Sequence, residues 1–268
     1  MTGLRVISAV LLGGFLLAVI LLAPPVWTGL LIGLAMLIGA WEWSGFLRAA
    51  TLAPRLAYVA ATAVLLGLAW RVTGHPQALC ALLVLAAAWW LVALLWIALA
   101  PHRVTTLRVA FAGWLTLVPA GVALWRLRMD WPQGMRWLLF TLFLVWAADT
   151  GAYFAGRAFG RHKLAPQVSP GKTWEGVTGG LVLAGVLAGL AAPGFGRPTF
   201  SFVVLCLLVA AFSVVGDLSE SLFKRHAGLK DSGHLIPGHG GMLDRIDSIT
   251  AAAPLLMLGV LLLGPVAP

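Results

Sequence analysis

The chain has 268 residues, of which 61% are hydrophobic and only 10% charged, against about 25% charged in a typical soluble domain. With a mean hydropathy of +0.97, this excludes a soluble globular domain, a disordered chain and a disulfide scaffold, and predicts an all-α polytopic integral membrane protein. The net charge of +9 is accounted for by basic loops that fix topology and meet anionic headgroups, so no nucleic-acid partner is expected.

A helix needs about 20 mostly apolar residues to cross the hydrocarbon core. Residues 6–41 carry no charge and are split by Pro24-Pro25, which predicts two helices. The first is read as a retained membrane helix, because no small-x-small cleavage pattern precedes the break. Further spans are predicted at 56–70, 77–99, 109–125, 137–156, 176–192, 199–216 and 248–266, giving about nine transmembrane helices. The third is short, with Arg55 and Arg71 placed to snorkel. The thirteen Trp residues are read mainly as an interfacial or lipid-facing belt. Cys80 and Cys206 lie in apolar runs and are read as small buried hydrophobes.

Orientation follows from Lys/Arg asymmetry. With a cytoplasmic N-terminus, Arg71, Arg126, Arg128, Arg136 and Arg197 fall outside and the other 13 Lys/Arg fall inside. The C-terminus is then outside, and the polar loops 157–175 and 217–247 both face the cytoplasm. Residues 1–135 read as a scaffold of membrane helices and 136–268 as a catalytic membrane region. Of the nine acids, only Glu42 and Asp130 precede residue 149. The other seven, Asp149, Glu175, Asp217, Glu220, Asp231, Asp244 and Asp247, gather at the cytoplasmic ends of spans six to nine. Ionisable groups at such depths mark functional sites.

Three segments carry the chemistry. Asp149 to Arg157 closes the sixth span, with small residues suited to close packing and a carboxylate that packing does not explain. Ser169-Pro-Gly-Lys-Thr-Trp-Glu-Gly176 enters the seventh span. Ser169 or Thr173 could cap that helix with Glu175 in its first turn, and Lys172 beside free N–H groups suits an anion. The third segment runs from Gly216 to Asp247. Asp244 and Asp247 are spaced i, i+3 and share a face of a helix; with Asp217 they could hold a hard divalent cation. Lys224, Arg225, Lys230 and Arg245 could neutralise phosphates. Gly238, Gly240 and Gly241 permit close backbone approach to an anion. His239 reads as a phosphate-contacting or orienting residue, since no Cys or second His stands at zinc-ligand spacing.

The run from Ser221 to Asp247 resembles the signature of the phosphatidate cytidylyltransferases, the CDP-diacylglycerol synthases. Its fixed positions are met by Ser221, Phe223, Lys224, Arg225, Lys230, Asp231, Gly233, Ile236, Pro237, His239, Gly240, Gly241, Met242, Asp244, Arg245, Ile246 and Asp247. The upstream Asp149 and Ser169–Gly176 segments are similar too, as is Glu42 between Trp41 and Trp43. Gly171 departs from the pattern, since Lys is common there, and this leaves Lys172 as the sole cation of that pair. Motif-level resemblance covers 149–247; residues 1–148 are similar mainly in hydropathy.

The resemblance implies an enzyme of a bacterial inner membrane, with its site facing the cytoplasm. It implies CTP and phosphatidic acid as substrates, magnesium with room for a second cation, membrane lipids as partners, and a homodimer. It also implies roles for the residues. Asp217, Asp244 and Asp247 would bind magnesium. Lys224, Arg225, Lys230, Arg245, Lys172 and Ser169 would contact phosphates, with Thr173, Ser221, Gly240 and Gly241 beside them. Asp149, Glu175 and Asp231 would support them or serve a second cation. The competing readings are a secondary transporter, which predicts midplane charges and internal repeats that the sequence lacks, and another membrane lipid phospho- or nucleotidyl-transferase.

Overall fold

The computed structural model describes residues 2–48, 51–131, 133–235 and 240–264. Within them lie nine α-helices: α1 (Thr2–Leu22), α2 (Pro25–Phe46), α3 (Leu52–Val72), α4 (Pro76–Leu99), α5 (Thr106–Met129), α6 (Gly134–Phe159), α7 (Trp174–Ala191), α8 (Thr199–Ala227) and α9 (Leu243–Leu262). Eight are long and apolar enough to cross a membrane. Large apolar side chains such as Leu22, Leu190 and Phe200 are exposed on the outer surface. Exposure of that kind is unfavourable in water and natural in lipid. The polytopic helical fold expected from composition is the one observed.

Several boundaries differ from the charge-free runs. The third span, predicted at 56–70, is the full-length helix α3, because Arg55 and Arg71 continue the helix to both interfaces instead of ending it. Arg55 lies over the Trp41 ring, 4.7 Å from its centroid. The predicted loop 217–247 begins as helix: α8 runs unbroken through Lys224 and Arg225 to a left-handed cap at Gly228, φ 74°. A charge ends the apolar run but not the hydrogen-bonded ladder. Loop 157–175 contains an antiparallel hairpin of β1 (Lys163–Ala165) and β2 (Ser169–Thr173), pairing Lys163 with Thr173 and Ala165 with Ser169. The sequence reading treated this stretch only as a loop.

The most enclosed helix is α5, which packs against α2, α3 and α9. On its face, the Trp43 indole N–H donates to Val109 O (2.8 Å) and Tyr58 donates its hydroxyl proton to Ala110 O (2.9 Å). Trp43, Trp89, Trp90 and Trp137 are buried, so part of the tryptophan complement is core and not belt. Cys206 is buried as expected, whereas Cys80 lies on the exposed surface of α4.

The glycines of α7 are consumed inside the chain. A Cβ on Gly180 would stand 2.6 Å from Ala148 O on α6, and one on Gly179 would overlap Ala155. The α6–α7 contact is therefore backbone on backbone, and it carries Asp149 and the start of α7 to one place. Gly180→Val is expected to force these helices apart at about 1–3 kcal/mol of overpacking. The measurement is thermal unfolding of the purified protein in detergent; a melting temperature equal to that of the unmodified chain would contradict the close contact.

Candidate active site

The cluster is assembled by four helix ends: the C-terminal halves of α6 and α8 and the starts of α7 and α9. Along α8, Asp217, Glu220 and Lys224 recur at i, i+3 and i+7 and line one stripe. The first turn of α9 brings Asp244 and Asp247 against that stripe. Helix α8 approaches this closely because a Cβ on Gly216 would lie 2.6 Å from Asp247 O.

Asp244 is fully engaged. Its Oδ1 takes Lys224 Nζ at 2.5 Å, and its Oδ2 accepts Gly241 N–H (2.9 Å), Ser232 N–H (3.0 Å) and the Ser232 hydroxyl (3.0 Å). Gly240 sits at φ 80°, and a Cβ there would also meet Asp244 Oδ2 at 2.6 Å. The turn before α9 is thus wrapped around one carboxylate, which requires glycine at this position. Lys224 reaches a second acid, Glu220, at 3.4 Å. Glu220 is 3% exposed, and neither of its oxygens accepts a hydrogen bond among the described residues.

A second ion pair joins the α7 entrance to α8: Lys172 Nζ lies 2.6 Å from Asp217 Oδ2. Ser221 Oγ is 3.4 Å from Asp217 Oδ1. Beside this pair, a cavity of ≈ 520 Å³ opens between α6, α7 and α8, with Asp149, Tyr153, Arg157, Lys172 and Asp217 on its walls. Asp149 is within electrostatic reach of Asp217, Lys172 and Arg245. Of the two predicted caps of α7, Thr173 performs the role, its Oγ accepting Gly176 N–H at 3.2 Å. Ser169 instead lies in β2.

Glu175 does something local. Its carboxylate accepts the N–H groups of Arg161 and His162 and pairs with His162 Nδ1 at 2.6 Å, pinning the approach to the hairpin. Arg225, Lys230, Asp231 and Arg245 are exposed at the surface around the cluster. His239, with Ile236, Pro237 and Gly238, lies outside the described residues.

The residue that sequence reasoning noted but gave no role is Glu42. It is 5% exposed on α2, yet it caps α9 from across the bundle. Oε1 accepts Met242 N–H (2.9 Å), and Oε2 accepts Leu243 N–H (2.8 Å) and the Ser232 hydroxyl (2.8 Å). A carboxylate at a helix start satisfies free N–H groups and the positive end of the helix dipole. The signals in the sequence were an acid inside an aromatic stretch at a span end and the resemblance of that stretch to the family, and neither names its partners.

Among the described residues, no three of Asp, Glu, His and Cys converge as a ready metal cage. The expected trio of Asp217, Asp244 and Asp247 is therefore not one ligand set as it stands, because Asp244 is committed to Lys224 and the Ser232–Gly241 backbone. Asp217 has an ion pair with Lys172 alone and Glu220 only Lys224 at 3.4 Å, so with Asp247 these are the less committed carboxylates among the described residues. An oxygen-only donor set fits a hard divalent ion. Magnesium is commonly held by one or two carboxylates plus substrate phosphates, not by a protein cage.

The sequence matches the Cytidylyltransferase family over residues 3–263. It is similar to a phosphatidate cytidylyltransferase of Haemophilus influenzae, 42% identical over 276 aligned residues covering 93% of this chain and 95% of that one. A phosphatidate cytidylyltransferase of Pseudomonas aeruginosa is 42% identical over 257 residues, 93% of each chain. One of Brucella melitensis is 50% identical over 140 residues, 49% of each. The first two alignments extend the likeness well into the N-terminal half, where motifs alone gave little.

Proposed function

Because this chain belongs to the cytidylyltransferase family, we propose that it transfers the cytidylyl group of CTP to phosphatidic acid, yielding CDP-diacylglycerol and pyrophosphate for phospholipid synthesis. The observation that carries this reading is the pairing of Lys172 with Asp217 and Lys224 with Asp244 beside a cavity walled by membrane helices. That site joins phosphate chemistry to a lipid-accessible surface.

In the reaction, a phosphate oxygen of phosphatidic acid attacks the α-phosphorus of CTP, and the bond from that phosphorus to the bridging oxygen breaks as pyrophosphate leaves. The nucleophile is a phosphate monoester with a second pKa of about 6, largely ionised near neutral pH, so no strong general base is needed. The obstacle is repulsion between two anions. The task of the chain is to neutralise charge and hold the reactants in line. Lys172, Lys224, Arg225, Lys230 and Arg245 are the cations suited to that work, with Ser169, Thr173, Ser221 and Gly240 supplying neutral donors near them, while the Gly241 N–H holds Asp244 in place.

Asp217 and Asp247 would hold magnesium, with Glu220 beside them; the ion, when bound, supplies further neutralisation of phosphate charge. Asp149 and Asp231 would serve positioning or a second cation. His239 is proposed as a phosphate-orienting residue on the resemblance alone, as is association into a homodimer. The Lys/Arg bias supports a site facing the cytoplasm of a bacterial inner membrane.

The test is incubation of purified protein in detergent with CTP labelled at the α-phosphate. Labelled lipid and released pyrophosphate are expected, both dependent on phosphatidic acid and on a divalent cation. Absence of labelled lipid, with solute uptake by proteoliposomes, would favour a transporter instead.

A further inference from the structure

The end of the bundle remote from this cluster holds a second cavity, of ≈ 620 Å³. It lies between the start of α6, the short 3-10 turn Ala192–Phe195 and the last turn of α9. Trp131, Trp137, Phe195 and Leu261 give it apolar walls, and Arg197 lines it with them. Arg197 is 9% exposed. One guanidinium nitrogen donates to Gly264 O, while Nε is buried with no hydrogen-bond partner among the described residues.

No ion pair among the described residues includes Arg197. Asp130 is the one acid that the sequence assigns to this end of the bundle, and it is taken by Arg126. A buried charge with no counter-ion among the described residues is expensive, and burial here works against the charged form of Arg197. The end as a whole carries Arg71, Arg126, Arg128, Arg136 and Arg197 against that one acidic side chain.

The position of the cavity narrows the choice of anion. Thr199, the first residue of α8 and two beyond Arg197, is separated along the helix from Asp217 by about 27 Å at 1.5 Å per residue. The hydrocarbon core is about 30 Å thick. The cavity therefore sits where the headgroup phosphates of the opposite leaflet lie. Guanidinium is the side chain best matched to a phosphate in a partly desolvated setting.

We propose that this cavity binds an anionic membrane phospholipid, its headgroup phosphate on Arg197 and its acyl chains against the aromatic walls. The site is separate from the one proposed for catalysis and does not depend on that reading.

The experiment uses the full chain in detergent, titrated with phosphatidylglycerol, which is not the proposed substrate, and read by native mass spectrometry. The unmodified chain is expected to retain phosphatidylglycerol. Arg197→Met should weaken that binding about tenfold or more, the loss typical of a charged hydrogen bond, and Arg197→Lys should fall between. Leu261→Trp fills the cavity from its exposed side and leaves the guanidinium intact; it should also expel the lipid, and it decides the matter should Arg197→Met fail to fold. Equal retention by the unmodified chain and Leu261→Trp overturns the proposal. So does occupancy by inorganic phosphate in a chain that takes up no lipid.

Discussion

Asp244→Asn is expected to reduce CDP-diacylglycerol synthesis by about a hundredfold or more, the scale on which loss of one preorganised charge-stabilising group acts. The carboxylate faces donors on both oxygens: Lys224 Nζ on one, and the N–H groups of Ser232 and Gly241 with the Ser232 hydroxyl on the other. An amide has one acceptor and one donor at these positions, so either orientation sets N–H against N–H. The side chains of Asp244 and Lys224 are 8% and 11% exposed. Breaking a pair this buried should cost about 3 kcal/mol of stability. Lys224 would then be left to Glu220 at 3.4 Å, drawn away from the place where it can meet substrate phosphate. The rate is measured on protein whose fold has been checked by its tryptophan emission. A folded Asp244→Asn protein with an undiminished rate would remove Asp244 and its partner Lys224 from the proposed machinery.

What the sequence could convey was depth. Apolar runs located the eight helices long and apolar enough to cross a membrane, while the first of the nine predicted spans is a helix that is not among them, and the seven acids beyond residue 148 marked the end of the bundle where Lys172, Asp217, Lys224 and Asp244 meet. The i, i+3 spacing of Asp244 and Asp247 was legible because both lie on the first turns of α9. Partners were not legible. Asp244 and Asp217 carry the same charge in similar surroundings. Nothing local says that one is saturated by a turn's N–H groups and the other left with a single lysine. Glu175 looked like a member of the acid cluster by position, but it is claimed by N–H groups 13 and 14 residues upstream. The hairpin at 163–173 was missed because its strands are three and five residues long, too short for an alternating pattern to register. The continuation of α8 past Asp217 was missed because polarity was read as loop, whereas a helix crossing an interface keeps its ladder and changes only its side chains.

Glu42→Gln is expected to lower both stability and rate, although Glu42 lies 190 positions from Ser232 and 201 from Leu243 in the chain. Both carboxylate oxygens accept from donors, so the amide nitrogen of Gln must face either Met242 N–H or the pair of Leu243 N–H and the Ser232 hydroxyl. One buried donor loses its acceptor at about 1–3 kcal/mol. The start of α9 also loses a negative charge that complements the positive end of its dipole, which adds up to about 2 kcal/mol in buried settings. The effect reaches the chemistry through Ser232. Its single hydroxyl proton is within reach of both Glu42 Oε2 (2.8 Å) and Asp244 Oδ2 (3.0 Å), so a shift of the turn at Glu42 moves the carboxylate that holds Lys224. Ser232→Ala, which removes the bridge but leaves both carboxylates charged, should therefore show a smaller loss of rate than Glu42→Gln. Melting temperature and the separate kcat and KM for CTP are the measurements. A positioning role requires kcat to fall in protein that remains folded at the assay temperature, and a fall in melting temperature with kcat unchanged would reduce Glu42 to a strut between α2 and α9.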